Sequence, residues 1–481
     1  MLTDGRLLRT EAYINGAWTT ADSRFSVRNP ATGDVLAEVV DAGAELAERA
    51  VGAAESAFPV WKRALAKERS ARLRTWHDLI LEHTEDLARL MTLEQGKPLA
   101  EARGEVRYGA AFIEWFAEEA KRIYGMTVPT HGAGKRIVVM KEPVGVVAAV
   151  TPWNFPIAMI TRKAGAALAA GCTFVVKPAE DSPLCALALA ELAGRAGIPP
   201  GVFNVVPTAT PGPVGQVLTE DPRVRKFSFT GSTAVGKRLL AQCAATVKKV
   251  SMELGGNAPF IVFEDADLDA AVQGAMASKY RNAGQTCVCA NRMLVQSSVY
   301  DAFVDRLAAE VAKLRVGNGL EEGVTIGPLI HRKAAAQVED KVSQALGLGA
   351  VARVGGGASD AGPNFFEPTV LTGVTPEMRV FNEEIFGPVA PVVPFEDETQ
   401  ALALANSTPF GLAAYFYSRD VGRVWRVMEG LEYGMVASND GMLSTEVAPF
   451  GGMKESGLGR EGSAYGIDDY VEVKYGLFGG I

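Results

Sequence analysis

Cysteine and histidine are scarce in this chain of 481 residues, which holds five of the first and four of the second. Cys172, Cys185, Cys243, Cys287 and Cys289 keep no regular spacing. That excludes the disulfide framework of a small secreted domain and points to a reducing, cytoplasmic setting. A cysteine-based zinc site needs Cys-x₂₋₄-Cys pairs or clustered histidines. Here the spacing is Cys-x-Cys with no histidine nearby, so no metal is expected. Blocks of Lys or Arg are missing too, and a net charge of −8 argues against a nucleic-acid partner. The longest apolar runs, such as AGAALAAGCTFVV (164–176), are too short to span a bilayer, so no membrane contact is expected. The opening stretch MLTDGRLLRTEAY has no apolar core or cleavage site and does not read as a signal peptide.

What is present is a composition of 48% hydrophobic residues with 51 glycines, in a chain too long for one ordinary core. Residues 45–125 repeat apolar side chains every three or four positions, which predicts helices. From residue 145 the rhythm changes. GVVAAV (145–150), TFVVK (173–177), FNVV (203–206), VRKFSF (224–229) and VKKVSMEL (247–254) read as short strands, with helical segments between them. The helix after TFVVK is expected to open at Ser182 as N-cap, with Pro183 in its first turn. Strands and helices alternating at intervals of about 25 residues predict a parallel, doubly wound α/β sheet. A second α/β pattern runs from residue 258 to about 445. KRIVVMKE (135–142) and YVEVKY (470–475) belong to neither, and their alternation of apolar and charged residues suits strands with one wet face. Such strands need covering, which favours a homo-oligomer, dimer or tetramer.

Several strand ends carry polar residues suited to chemistry. In FTGSTAVGKR (229–238), Gly231 through Lys237 fits the phosphate-loop pattern, but Arg238 stands where Ser or Thr would hold magnesium. An NTPase is disfavoured, and what remains is a strand running into a helix N-terminus that suits a pyrophosphate. The plain alternative is an ordinary strand–helix turn. VVKPAED (175–181) ends a strand with Lys177 and Glu180. A carboxylate at that place takes a ribose diol and repels a 2′-phosphate, so Glu180 favours NAD over NADP. A solvated turn fits this motif equally well when it stands alone. TPWNFP (151–156) brackets Asn154 between two prolines, fixing a side-chain amide that can serve as an oxyanion donor or simply close a turn. SMELGG (251–256) places Glu253 at a strand end, where a buried carboxylate is costly unless paired or used as a base. In NAGQTCVCANR (282–292), a Cys287–Cys289 bond across one residue would be strained and labile. Buried filler is the common fate of a free cysteine. A place in a Gly-containing turn favours a nucleophile at Cys287 instead.

Together PWNFP, FTGSTAVGK, ELGG, GQTC, EEIFGP (383–388) and PFGGMKESGLGRE (449–461) resemble, in order and spacing, the NAD(P)-dependent aldehyde dehydrogenases. VVKPAED, NAGQTCVCANR and GLGREGSAYGIDDY are most similar to the succinate-semialdehyde branch. The resemblance implies an NAD-binding domain over 1–124 and 144–253, a catalytic domain over 254–446 and a β oligomerisation element over 125–143 and 466–481. It implies Cys287 as nucleophile, Glu253 as general base, and Asn154 with the Cys287 N–H as oxyanion donors. For the cofactor, NAD with NADP as the alternative, it implies Lys177 and Glu180 at the adenosine ribose, Gly231 and Ser232 at the pyrophosphate, Glu384 and Phe386 at the nicotinamide end, and Trp153 in the same set. For a semialdehyde substrate it implies Arg162, Arg281 and Ser444 around the carboxylate. Cys289 is shared with the branch and is a candidate redox partner of Cys287, with a bystander thiol as the alternative.

The expected reaction is oxidation of succinate semialdehyde to succinate through a Cys287 thioester, with glutarate semialdehyde as the alternative substrate. A cysteine hydrolase or acyltransferase and a non-catalytic structural protein are the rivals from other classes.

Overall fold

Short apolar strands joined by helices build one open sheet in the first half of the chain. The computed structural model describes residues 2–481. Lys249–Glu253, Val224–Thr230, Val146–Val150, Thr173–Lys177 and Phe203–Val205 lie side by side in that spatial order, all parallel. VVAAV and TFVVK show no alternation because helices cover both faces of the sheet. The strand first in sequence, Val146–Val150, sits in the middle, with Thr173–Lys177 on one side and Val224–Thr230 on the other. The connections therefore leave in opposite directions and their loops part at its carboxyl end. A ligand crevice forms at such a switch point.

Two antiparallel additions close the edges. Ala12–Ile14 pairs with Phe203–Val205 and turns through Asn15-Gly16, both at positive φ, into Ala17–Thr19. Asn-Gly is the dipeptide that a two-residue hairpin of this twist demands. At the opposite edge Gly457–Leu458 pairs with Met252 and Glu253, bringing the C-terminal PFGGMKESGLGRE segment beside the strand end.

Residues 258–438 form a second sheet in the order Val351–Val354, Thr369–Thr372, Val389–Phe395, Ala290–Gln296, Ala258–Val262, Ala413–Tyr417 and Met435–Ser438. All its neighbours are parallel except the first pair. The helical periodicity of 45–125 resolves into Gly43–Trp61, Ala66–Glu82, Thr84–Gln95 and Leu99–Glu119. Leu99–Glu119 lies close on helix Ala158–Ala170, where a Cβ on Gly109 would come within 2.7 Å of Ile157. The strands left unassigned by sequence pair with each other: Val471–Gly479 runs antiparallel to Lys135–Pro143, which also pairs with Met126–Val128.

The structure corrects one local expectation. Ser182 does not cap helix Pro183–Arg195 with its side chain. Buried Glu94 does so instead, accepting from Leu184 N at 2.7 Å and Cys185 N at 2.8 Å. Proline at the first position removes one orphan N–H, and a carboxylate from a distant helix satisfies the next two.

Candidate active site

The switch point brings together the turns at two neighbouring strand ends, 151–154 after Val146–Val150 and 231–232 after Val224–Thr230. Between them opens a cavity of about 240 Å³ whose walls include Trp153, Asn154, Gly231, Ser232, Glu384, Phe386 and Cys287. Seven of the residues singled out by sequence thus share one chamber. Ser232 is the N-cap of helix Thr233–Cys243 and makes no side-chain cap bond, so the first-turn N–H groups face the cavity uncapped. Trp153 and Phe386 meet edge to face at 5.6 Å between ring centroids, giving the cavity an aromatic corner. Phe386 holds a φ of +54°, a left-handed conformation that aims its ring inward.

Cys287 is reached through a strained turn. Asn282 and Ala283 adopt φ of +51° and +53°, a conformation that side chains seldom take. Glu101 holds the turn by accepting from Asn282 N at 2.7 Å, and Gln95 donates to Asn282 Oδ1 at 3.0 Å. The Cys287 carbonyl lies against Gly256, where any Cβ would come within 2.7 Å of it. That contact is the physical reason for the second glycine of ELGG. Asn154 Nδ2 donates to Gln285 O at 3.0 Å, which uses one of its two N–H groups and leaves the other for a ligand. Its backbone carbonyl accepts from Lys97 Nζ at 2.7 Å and Asn282 Nδ2 at 3.1 Å. The amide is therefore held from both ends.

Burial dominates the electrostatics. It pushes the Cys287 thiol up to about 12, against the pull of Arg162 and Arg281. Glu384 is raised to about 7 by burial, offset by the Gly256 N–H that its Oε1 accepts at 3.3 Å. Glu253 is raised well above the usual carboxylate range by burial and by nearby Glu461. Both of its carboxylate oxygens are buried without a partner. It does not line the Cys287 cavity but faces the segment at Gly451, in the field of Arg162 and Lys163.

A second cavity of about 260 Å³ lies beside the first and holds Arg281, Ser444, Tyr108, Phe155, Glu101 and the Lys97–Glu105 pair. Arg281 stacks 5.4 Å from the Phe155 ring, and its Nε is buried with no hydrogen-bond partner. Arg162 is not in this wall. It is 1% exposed, ion-paired with Glu461 and stacked 4.3 Å over Phe450. The expectation that Arg162 and Arg281 project into one pocket therefore needs correcting: a neighbouring carboxylate holds Arg162 one layer back. Lys177 pairs with Glu180 at 2.7 Å at the end of its strand, outside both cavities. Cys289 also lies outside them, its Sγ donating to Lys279 O at 3.5 Å.

Sequence reasoning missed Lys97, Glu101, Glu105, Tyr108 and Glu461. The first four lie on or just before helix Leu99–Glu119, where a polar residue facing the core looks in sequence like one facing water. Glu461 lay inside a quoted motif, but nothing local marked it as the partner of Arg162 and Lys163.

Comparisons with known proteins agree with this geometry. The profile described as "Aldehyde dehydrogenase family" matches residues 18–475. A glutarate-semialdehyde dehydrogenase of Pseudomonas aeruginosa is 61% identical over 482 residues, covering 100% of both chains. The NADP(+)-named succinate-semialdehyde dehydrogenase GabD of Escherichia coli is 61% identical over 99% of each chain. The crystal structure of a succinate-semialdehyde dehydrogenase from Burkholderia pseudomallei superposes with a TM-score of 0.98 at 60% identity, covering 99% of each chain. A cysteine in the cavity at the sheet's switch point, on a chain matched over residues 18–475, has one reading: this protein belongs to the aldehyde dehydrogenase family.

Proposed function

We propose that the protein oxidises succinate semialdehyde to succinate with NAD(P)⁺, through a thioester on Cys287. The observation that carries the reading is the pair of adjoining cavities, one with Cys287 facing an aromatic and helix-terminus wall, the other with an unpaired guanidinium at Arg281. A four-carbon semialdehyde has the two ends that such a pair of chambers would hold apart. Glutarate semialdehyde, one carbon longer, is the second reading, favoured by the relative of that name at 61% identity.

The crevice fits a dinucleotide. Uncapped N–H groups behind Ser232 suit a pyrophosphate, Trp153 and Phe386 suit a flat ring, and Glu384 suits a ribose hydroxyl. A bound nicotinamide supplies the acceptor for the substrate's hydride. Lys177 and Glu180 are assigned to the adenosine ribose, and the Glu180 carboxylate disfavours a 2′-phosphate.

The chain's own groups do the rest. Cys287 Sγ, as thiolate, attacks the aldehyde carbon. The oxygen that gains charge is met by the free N–H of Asn154 and the N–H of Cys287. Loss of hydride from the same carbon leaves an acyl group on sulfur, so one hard oxidation is divided in two. Glu253 then takes a proton from the water that attacks the thioester, and the thiolate leaves. Glu253 must surrender its own proton first, and Arg162 and Lys163 beside it favour the charged form against burial and the Glu461 carboxylate.

The exposed strands Lys135–Pro143 and Val471–Gly479 are assigned to contact with a second copy of the chain. Val473, Tyr475 and Phe478 are each more than half exposed in the single chain.

A kinetic panel tests the function. Succinate semialdehyde, glutarate semialdehyde and butanal are each supplied with NAD⁺ and with NADP⁺, and kcat/KM is read from reduced-nicotinamide absorbance. The four-carbon semialdehyde should lead. A lead for butanal would refute the assignment of Arg281, and absence of any nicotinamide reduction would revive the hydrolase reading.

A further inference from the structure

Tyr108 is a polar side chain at this site to which neither the motifs nor the oxidation steps give a role. It projects from helix Leu99–Glu119, edge-on to Phe112 at 4.9 Å, into the wall shared by Arg281 and Ser444. Its hydroxyl is closed to solvent and donates to no acceptor within the fold. A buried hydroxyl proton in a native fold normally finds an acceptor, so one left without an acceptor at a cavity wall marks where a ligand atom comes to rest.

Two guanidiniums flank this hydroxyl. Arg281 shares its cavity, and Arg162 stands behind it, clamped by Glu461 and Phe450 with one buried Nη2 unpartnered. A guanidinium has donors and no acceptor. Facing Arg162, the phenol oxygen can only accept, so its own proton turns the other way, toward the cavity. Arg162 thereby acts on the cavity without lining it, by polarising a donor that does.

Taking the semialdehyde reading above as its basis, we propose that the Tyr108 hydroxyl is a specificity determinant, donating to the substrate's distal carboxylate alongside Arg281 and Ser444, with Arg162 positioning it from behind. An uncharged tail leaves these donors unpaired, which is how such a site rejects it.

The test compares succinate semialdehyde with butanal on wild-type and Tyr108→Phe holoenzyme. Removing one hydrogen bond to a charged group should lower the ratio of kcat/KM for semialdehyde over butanal by roughly tenfold to a hundredfold, with the loss in KM. Inhibition by succinate against semialdehyde should weaken by a similar factor. A second arm uses Arg162→Lys, which should raise the semialdehyde KM when Tyr108 is present and add little on top of Tyr108→Phe. A ratio preserved in Tyr108→Phe, with succinate inhibition intact, makes the tyrosine a plain wall and overturns the proposal. So does an equal effect of Arg162→Lys in both backgrounds. If the wild-type enzyme itself shows no preference for the semialdehyde, the function assigned above fails and this proposal falls with it, an outcome distinct from a preference that survives the substitution.

Discussion

At the residue scale, the Cys287 thiol is caught between burial, which pushes it up to about 12, and the two guanidiniums of Arg162 and Arg281. Burial thus favours the protonated sulfur at neutral pH, and the thiolate fraction is expected to grow with pH. Alkylation of Cys287 by iodoacetamide in the cofactor-free enzyme should accelerate roughly tenfold per pH unit from pH 7 to 10 without a plateau. A plateau near pH 8 would show that the arginines outweigh burial. Cys287→Ser should abolish aldehyde oxidation while cofactor binding, measured by fluorescence titration, persists. Asn154 keeps one side-chain N–H beyond its bond to Gln285 O, and on the proposed oxyanion role Asn154→Ala should lower kcat by roughly a hundredfold or more. Glu180→Ser removes the carboxylate that a 2′-phosphate would meet, so the ratio of kcat/KM for NADP⁺ over NAD⁺ should rise at least about tenfold. An unchanged ratio would move cofactor choice to other residues.

At the scale of elements, helix Pro183–Arg195 shows how a start signal can be right while its chemistry is misplaced. Serine before proline marks the boundary correctly, but the capping oxygens come from Glu94, ninety positions upstream and fully buried. Burial lifts that carboxyl from the ordinary 4.5 to about 7, although Cys185 and the two N–H groups pull it down. A folded-state value above the unfolded one means the protonated form fits the fold better. Stability from this group is fully present below pH 4.5 and is lost as pH rises through about 7. The thermal midpoint of Glu94→Gln should therefore fall less than that of the wild type between pH 5 and 7.5. Parallel pH profiles would mean the group stays charged throughout. The same logic explains why helix Leu99–Glu119 hid its role. Its buried Glu105 and half-buried Tyr108 face other elements, and periodicity records only that they are polar.

For the whole molecule, the three-stranded sheet joins residues more than three hundred positions apart, with Val471 opposite Pro143 and Gly479 opposite Lys135. Nothing local in either strand names the other. Its exposed apolar side chains, Val473, Tyr475 and Phe478, are those a partner copy would cover. Val473→Asp combined with Tyr475→Asp should lower the assembled fraction in sedimentation velocity. An unchanged profile would move the contact to another face.

The strand–helix alternation, the switch from helical to parallel-sheet rhythm, and the motifs at strand ends were all legible in the chain itself. Each depends on the spacing of a few neighbouring residues and on the conformations those residues can adopt. Cys287, Asn154 and Gly231 were nameable before any fold because each sits in such a local pattern, Ser232, Glu384 and Phe386 only through the family resemblance, and the fold then gathered them into one cavity. The tertiary structure alone decided that Glu461 would hold Arg162 out of the cavity lined by Arg281, that Tyr108 would line that cavity, and that Glu94 would cap a distant helix. Those outcomes depend on which charges and hydroxyls are left unpaired once water is excluded, and that is settled only when distant segments meet.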